Sequence, residues 1–179
     1  MRNRACYNLR VLLYPNTHYH ITVNLPRHPL RINVGFLLNA PLGYSRDIHF
    51  DFPTIHFEQD EYAGLNGTAR VNRTPQGVLA VCEFDAIVTL ECVRCLKAFD
   101  LPLRIEFSDL FAFDKRFTTE SELLIPDDGN IDLEPLVHEY LLIEVPISQV
   151  CRPDCKGLCI ECGEDLNLGT CEHNVRVIY

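Results

Sequence analysis

The clustering of cysteines near the C-terminus is the feature that most limits how this chain can fold. Residues 151–163 run CRPDCKGLCIECG, which places four cysteines within thirteen positions. A second CxxC, the CVRC of residues 92–95, lies far upstream, and Cys171 follows downstream. The chain has 179 residues, 47% of them hydrophobic, so it can bury an ordinary core without help from cross-links. The thiols therefore need another explanation, and their spacing points to a chemical role.

The choice between metal and disulfide depends on the compartment. The nine cysteines are an odd number, the N-terminal residues lack an apolar signal core, and no apolar run approaches the roughly 18 to 20 residues of a membrane span. We therefore expect a soluble cytoplasmic protein. In a reducing compartment a dense cysteine pattern favours metal binding over disulfides.

Seven cysteines and one histidine form the expected ligand set. Cys82 is set aside because it lies on the apolar face of a predicted strand, and Cys6 because it lies alone. Eight ligands are the number that two tetrahedral zinc sites require. The predicted ligands are Cys92, Cys95, Cys151, Cys155, Cys159, Cys162, Cys171 and His173.

Two ways of dividing these ligands remain open. The preferred pairing joins the 92–95 CxxC to Cys151 and Cys155 and leaves the last four ligands to close a second site. The alternative is one ribbon-like site made by the CxxC of 92–95 and the CxxC of 159–162, with the other three cysteines as spares. A redox dithiol is disfavoured, since neither CxxC is followed by a helical pattern. The sequence thus predicts structural zinc, with two ions preferred over one.

Hydrophobic periodicity predicts an α+β domain with a mostly antiparallel sheet. Residues 78–90 alternate apolar and polar positions, and the alternation resumes at 101–107, so CVRC connects two strands. TPQG predicts a hairpin between 65–72 and 78–90, with Gly77 available for a positive φ, and 31–38 with 46–52 predict another hairpin around NAPLGYS. We also expect Gly157, Gly163 and Gly169 to form tight turns in the metal loops.

A single main amphipathic helix is predicted between the strands and the cysteine-rich tail. Its apolar stripe is Leu133, Leu136, Val137, Tyr140 and Leu141. Asp132 is the expected N-cap and Pro146 the stop, while Glu134, His138 and Glu139 occupy the opposite face. The helix should therefore cover one side of the sheet.

Charge divides the chain unevenly. Residues 1–46 carry six arginines and no acid, whereas residues 47–179 carry ten basic and twenty-five acidic residues. We expect three parts: a basic N-terminal arm (1–30), an α+β core (31–150) and a cysteine-rich zinc-binding tail packed on the core (151–179). An acidic body of this kind repels the phosphate backbone at long range, so any RNA contact must use the arm or a local patch.

Enzyme motifs are not found. HEYLL begins like a zinc-protease helix, but Leu142 stands where the second histidine is needed. The deaminase pattern, the phosphate-binding GxxxxGK[ST] loop and the GxSxG elbow are also missing. Metal sites filled by four protein ligands leave no open position for a reactive water. The sequence therefore predicts a protein that is not an enzyme and has no small-molecule substrate.

Three segments in order resemble the YceD family, also called DUF177, of bacteria and plastids. These segments are VTLECVRCLKAFDLPL, IDLEPLVHEYLLIEVPI and CRPDCKGLCIECGEDLN. The resemblance covers roughly residues 30–173 and places the family's cysteine motifs on this chain's CxxC at 92–95 and on its tail, with His173 where family tails often end in cysteine. It implies a role in accumulation of large-subunit (23S) ribosomal RNA and in making the large ribosomal subunit.

Two hypotheses for the partner follow. In the first, the zinc-stabilised domain binds precursor rRNA through cations in the metal loops, which are Arg94, Lys97, Arg152 and Lys156. In the second, an acidic surface receives a basic large-subunit ribosomal protein and acts as its chaperone. No membrane partner is expected.

Overall fold

The computed structural model describes residues 28–119, 122–169 and 171–173. Cys6 and nearly all of the predicted basic arm lie outside these residues. Among the residues described, no helix has the length and apolar character needed to span a lipid bilayer.

Six strands and two α-helices follow one another along the described chain. Their bounds are β1 (Arg31–Asn33), α1 (Gly35–Leu38), β2 (Ser45–Phe57), β3 (Asp60–Arg73), β4 (Gly77–Glu91), β5 (Ala98–Ala112), β6 (Asn130–Asp132) and α2 (Glu134–Glu144), with a 3-10 turn at Lys115–Phe117.

Long antiparallel hairpins build the main sheet, whose strand order is β2-β3-β4-β5. β4 pairs with β5 along its whole length, from Gly77 opposite Ala112 to Glu91 opposite Ala98. A separate small sheet joins β1 to β6. The protein is thus an α+β domain with a mostly antiparallel sheet, as the sequence predicted.

The two faces of the main sheet differ sharply in character. Side chains alternate along β4, so that Ala80, Cys82 and Phe84 are almost fully buried while Val81 and Glu83 are exposed. We call the buried side the inner face and the exposed side the outer face. The predicted packing role of Cys82 is confirmed, since its exposed fraction is 2%.

Helix α2 covers the inner face, as its apolar stripe predicted. Val137 and Leu141 are fully buried, and the ring of Tyr140 stacks on Phe107 of β5 with 4.5 Å between ring centroids. The sequence predicts His138 on the solvent side, but its Nε2 lies 3.0 Å from Asp60 Oδ2 and its side chain is only 15% exposed. The helix therefore contacts the sheet with a wider face than its apolar residues alone define.

The predicted hairpin around NAPLGYS is wrong. β1 pairs with β6, about a hundred residues away, and β2 pairs with β3 instead. Val34 and Leu37 are both buried at helical spacing, which favours a turn of helix after β1. The Asn33 side chain accepts a hydrogen bond from the Gly35 N–H at 3.1 Å and supports that turn.

Two further local predictions need correction. Gly77 does not adopt a positive φ; a Cβ there would lie 2.1 Å from the Phe111 carbonyl oxygen, so glycine permits the close approach of β4 and β5. Helix α2 begins one residue later than expected, with Leu133 at the N-cap position. Asp132 still accepts a hydrogen bond from the Glu134 N–H, at 3.0 Å.

Candidate metal centres

Four cysteines from two distant segments meet at one end of the main sheet. The β4–β5 connection supplies Cys92 and Cys95, and the segment after α2 supplies Cys151 and Cys155; their four sulfurs lie within 4.8 Å of one another. The Cys92–Cys155 and Cys95–Cys151 sulfur distances are 3.9 and 3.7 Å. Zn–S bonds of about 2.3 Å in a tetrahedron place sulfurs about 3.8 Å apart. These four residues, the first tetrad, thus have the spacing of a tetrahedral thiolate site.

The second tetrad lies in the tail. Cys159, Cys162, Cys171 and His173 also bring their ligand atoms within 4.8 Å of one another. Cys159 is buried, whereas Cys162 and His173 are exposed. The first tetrad is therefore enclosed by protein and the second is open to solvent.

The two CxxC loops have the same backbone hydrogen bonds although they belong to different tetrads. In the first loop the Leu96 N–H donates to the Cys92 carbonyl at 2.8 Å, and the Cys92 N–H donates to the Lys97 carbonyl at 2.9 Å. In the second loop Gly163 donates to the Cys159 carbonyl at 2.8 Å, and Cys159 donates to the Glu164 carbonyl at 2.8 Å. The match holds position by position, so both loops present two sulfurs in one direction.

One position of this shared turn requires a left-handed backbone. The residue after the second cysteine has φ +74° in the second loop, where it is Gly163, and φ +58° in the first, where it is Leu96. Residues other than glycine have a strained backbone in this region. Of the predicted turn glycines, Gly157 also has a positive φ, at +76°, whereas Gly169 is not among the residues with positive φ.

Backbone N–H groups prepare the first cysteine of each loop for ionisation. Burial opposes the thiolate of Cys92, but hydrogen bonds from the N–H groups of Cys151, Cys95 and Arg94 outweigh it and lower the pKa of Cys92 to about 6. The corresponding N–H groups of Cys162 and Glu161 lower the pKa of Cys159. A thiolate is the form of cysteine that binds metal, so both loops favour the ligating form.

Two other thiols of the first tetrad, those of Cys95 and Cys151, have raised pKa values. Burial and the neighbouring sulfurs raise the pKa of Cys151 to about 12. Four sulfurs this close cannot all carry negative charge unless a cation lies among them. The donor set therefore fits a zinc ion, which binds thiolate and imidazole and neutralises their charge.

Arg94 and Asn167 hold the loops around the first tetrad. The Arg94 guanidinium donates to the Cys155 carbonyl at 3.0 Å, and the Arg94 carbonyl accepts from the Leu158 N–H at 3.1 Å. The Asn167 amide nitrogen lies 3.5 Å from Cys155 Sγ, and its oxygen accepts from the Lys156 N–H at 2.8 Å. Asn167 was not predicted to take part in the site, because an asparagine in a loop with nearby glycines is typical of an ordinary turn.

All four cations proposed to contact RNA lie in these loops, but three of them have intramolecular partners. Arg94 binds the Cys155 carbonyl, Lys97 forms an ion pair with Asp165, and Arg152 donates to the Asn167 side chain at 2.9 Å. Lys97 lowers the pKa of Asp165 to about 2 through this contact. These contacts tie the tail to the β4–β5 connection.

The structure groups the eight predicted ligands as the preferred pairing does. Among the residues described, Cys92 and Cys95 share a cluster with Cys151 and Cys155 and not with the second CxxC. The repeated position after each CxxC is a signal that sequence analysis missed. Aligning CVRCLK with CIECGE places Leu96 against Gly163 and indicates the left-handed turn in both.

Comparison with known proteins identifies the class to which this arrangement belongs. The family model described as "Large ribosomal RNA subunit accumulation protein YceD" matches residues 81–177, which include β5, α2 and both tetrads. The chain therefore belongs to the YceD family. No solved structure matches it.

Curated relatives extend over different parts of the chain. An uncharacterized protein of Mycobacterium leprae is 37% identical over 108 residues, which cover 58% of this chain and 50% of that protein. YlbN of Bacillus subtilis, also described as uncharacterized, is 28% identical over 131 residues, covering 63% of this chain and 76% of YlbN. A maize protein named large ribosomal RNA subunit accumulation protein YCED homolog 1, chloroplastic, is 40% identical over 40 residues, covering 22% of this chain and 14% of the maize protein. The chain spans about half the length of the mycobacterial relatives that it matches.

Proposed function

We propose that this protein is a non-enzymatic cytoplasmic factor that supports accumulation of 23S rRNA and biogenesis of the large ribosomal subunit. It acts by binding precursor rRNA or a large-subunit ribosomal protein through a domain that two structural zinc ions stabilise. The family's description supports the general role. The observation that carries the mechanism is the pair of tetrads, each with four ligand atoms within 4.8 Å.

A structural role for zinc follows from how the ligands are distributed. In each tetrad the protein supplies all four ligands, so a bound ion has no open position for substrate or reactive water. The first tetrad joins segments more than fifty residues apart in the chain, from Cys95 to Cys151. Zinc coordination there replaces the apolar core that the polar tail lacks.

Depletion of the protein in cells tests the proposed function directly. If the protein supports large-subunit biogenesis, depleted cells will contain less 23S rRNA relative to 16S rRNA, and sucrose gradients will show fewer large subunits. Unchanged levels of both rRNAs would refute the role. Re-expression of the wild-type chain is the control and should restore the ratio.

RNA binding through the metal loops is the first form of this proposal. Replacing Arg94, Lys97, Arg152 and Lys156 by glutamine should weaken association with large-subunit precursors and reduce its dependence on salt. Since three of these side chains also hold the loops together, zinc content must be measured in the same variant. Unchanged association with intact zinc content would exclude this patch.

Protein binding is a second candidate, and a specific observation favours it. The charged side chains on the exposed outer face of the main sheet are mostly acidic, which suits a basic ribosomal protein better than RNA. Capture of the protein's partners before and after ribonuclease treatment separates the two candidates. A bridge made by protein survives the nuclease, and a bridge made by RNA does not.

A further inference from the structure

The outer face of the main sheet carries an excess of negative charge that its own arginines do not balance. Within the four described strands, eight carboxylates, two arginines and two histidines alternate onto this side. The acidic residues are Asp47, Asp51, Glu61, Glu83, Asp85, Glu91, Asp100 and Glu106, the arginines are Arg70 and Arg104, and the histidines are His49 and His56.

The charge conflict is greatest at the middle of β4 and β5. Glu83 lies directly opposite Glu106, a like-charge pairing that destabilises a sheet. Arg104 contacts both carboxylates and also lies 3.6 Å from Asp85 Oδ1. Because one guanidinium faces three carboxylates, two negative charges remain at this point.

Exposed apolar side chains flank this charged centre along β4. Val81 and Ile87 are each 42% exposed, on the same face as Glu83 and Asp85. Ile87 lies opposite Ala63 on one side and Pro102 on the other, which extends the apolar strip across three strands. The face thus combines apolar contact area with adjacent carboxylates, and protein interfaces likewise combine apolar and polar contacts.

From these features we infer that the outer face is a docking surface for a lysine- and arginine-rich segment of a partner protein. The apolar strip contacts the aliphatic parts of the partner's basic side chains, whose charged ends reach the carboxylates around Arg104. A phosphate backbone would meet net negative charge here, so the surface excludes nucleic acid. This inference deepens the proposed function, on which it rests, by naming the surface and the chemistry of the partner.

The test places a photoreactive benzophenone amino acid at position 87 in the full-length protein and cross-links it in living cells. We expect an adduct with a basic polypeptide that resists nuclease and is destroyed by protease. The triple variant Glu83→Gln, Asp85→Asn and Glu106→Gln should reduce its yield by about fivefold. The matched control variant Asp127→Asn, Glu139→Gln and Glu144→Gln removes the same charge from exposed positions elsewhere and should leave the yield unchanged.

Four results would overturn the inference: an adduct that nuclease removes, an adduct with residues 1–27 of the same chain, an adduct with a second copy of the chain, or equal yields in both triple variants. The first would assign the face to RNA, and the last would show that only overall charge matters. The ratio of 23S to 16S rRNA after depletion tests the proposed role in rRNA accumulation separately from the proposed docking surface. If the triple variant at Glu83, Asp85 and Glu106 lowers the cross-linking yield as expected but depletion causes no 23S deficit, the docking surface is supported and the role in rRNA accumulation is refuted.

Discussion

At the scale of single residues, Leu96 bears a conformational cost that the second CxxC loop avoids with glycine. We predict that Leu96→Gly raises the free energy of unfolding by about 1 kcal/mol, because it relieves the left-handed strain. Gly163→Ala should lower it by about 1 kcal/mol, since a Cβ there has no neighbour within 4 Å and only the backbone is strained. Urea unfolding in zinc-containing buffer measures both, and the same sign for the two substitutions would contradict the equivalence of the loops.

Cys82 gives a second prediction at this scale. Burial and the charge of Asp109 raise the pKa of its thiol to about 12, so almost none of it is thiolate at pH 8. Iodoacetamide should therefore leave Cys82 unmodified in the folded protein and label it after unfolding. Peptide mass spectrometry locates the label, and rapid labelling of Cys82 in the native state would contradict its burial.

At the scale of elements, the contact between β4 and β5 depends on a glycine at the end of the pairing. We predict that Gly77→Ala lowers the free energy of unfolding by about 2 kcal/mol, because the new methyl group meets the backbone at Phe111 and Ala112 and the strands must separate. Gly169→Ala is the matched control, since no atom lies within 4 Å of a Cβ there. Equal stabilities of these two variants in urea would show that the strands adjust without cost.

The sequence predicted the elements whose pattern is local and missed those that depend on distant contacts. The alternation of β4 and the apolar stripe of α2 are visible because each repeats within its own segment. The pairing of β1 with β6 was missed because each strand has only three residues, too few for a periodic pattern, and about a hundred residues separate them in the chain. Residue types and spacing predicted the members of the two tetrads, whereas the contacts of Asn167 depend on the folded tail and so could not be predicted.

At the scale of the whole molecule, the two tetrads should differ in how much they stabilise the protein. The first is buried and joins the main sheet to the segment after α2, whereas the second closes the tail on itself and is partly exposed. We predict that Cys155→Ser lowers the Tm more than Cys162→Ser, although each variant loses one zinc ion. Calorimetry with parallel zinc analysis measures both quantities, and a larger effect of Cys162→Ser would reverse the assigned roles.

The number of bound metal ions tests the central claim most directly. Native mass spectrometry of the protein, purified without chelator or denaturant, should show two zinc ions in the wild-type chain and one in Cys155→Ser and in Cys162→Ser. A single ion in the wild-type chain would contradict the claim that both tetrads bind metal, and no ion at all would contradict metal-stabilised loops altogether.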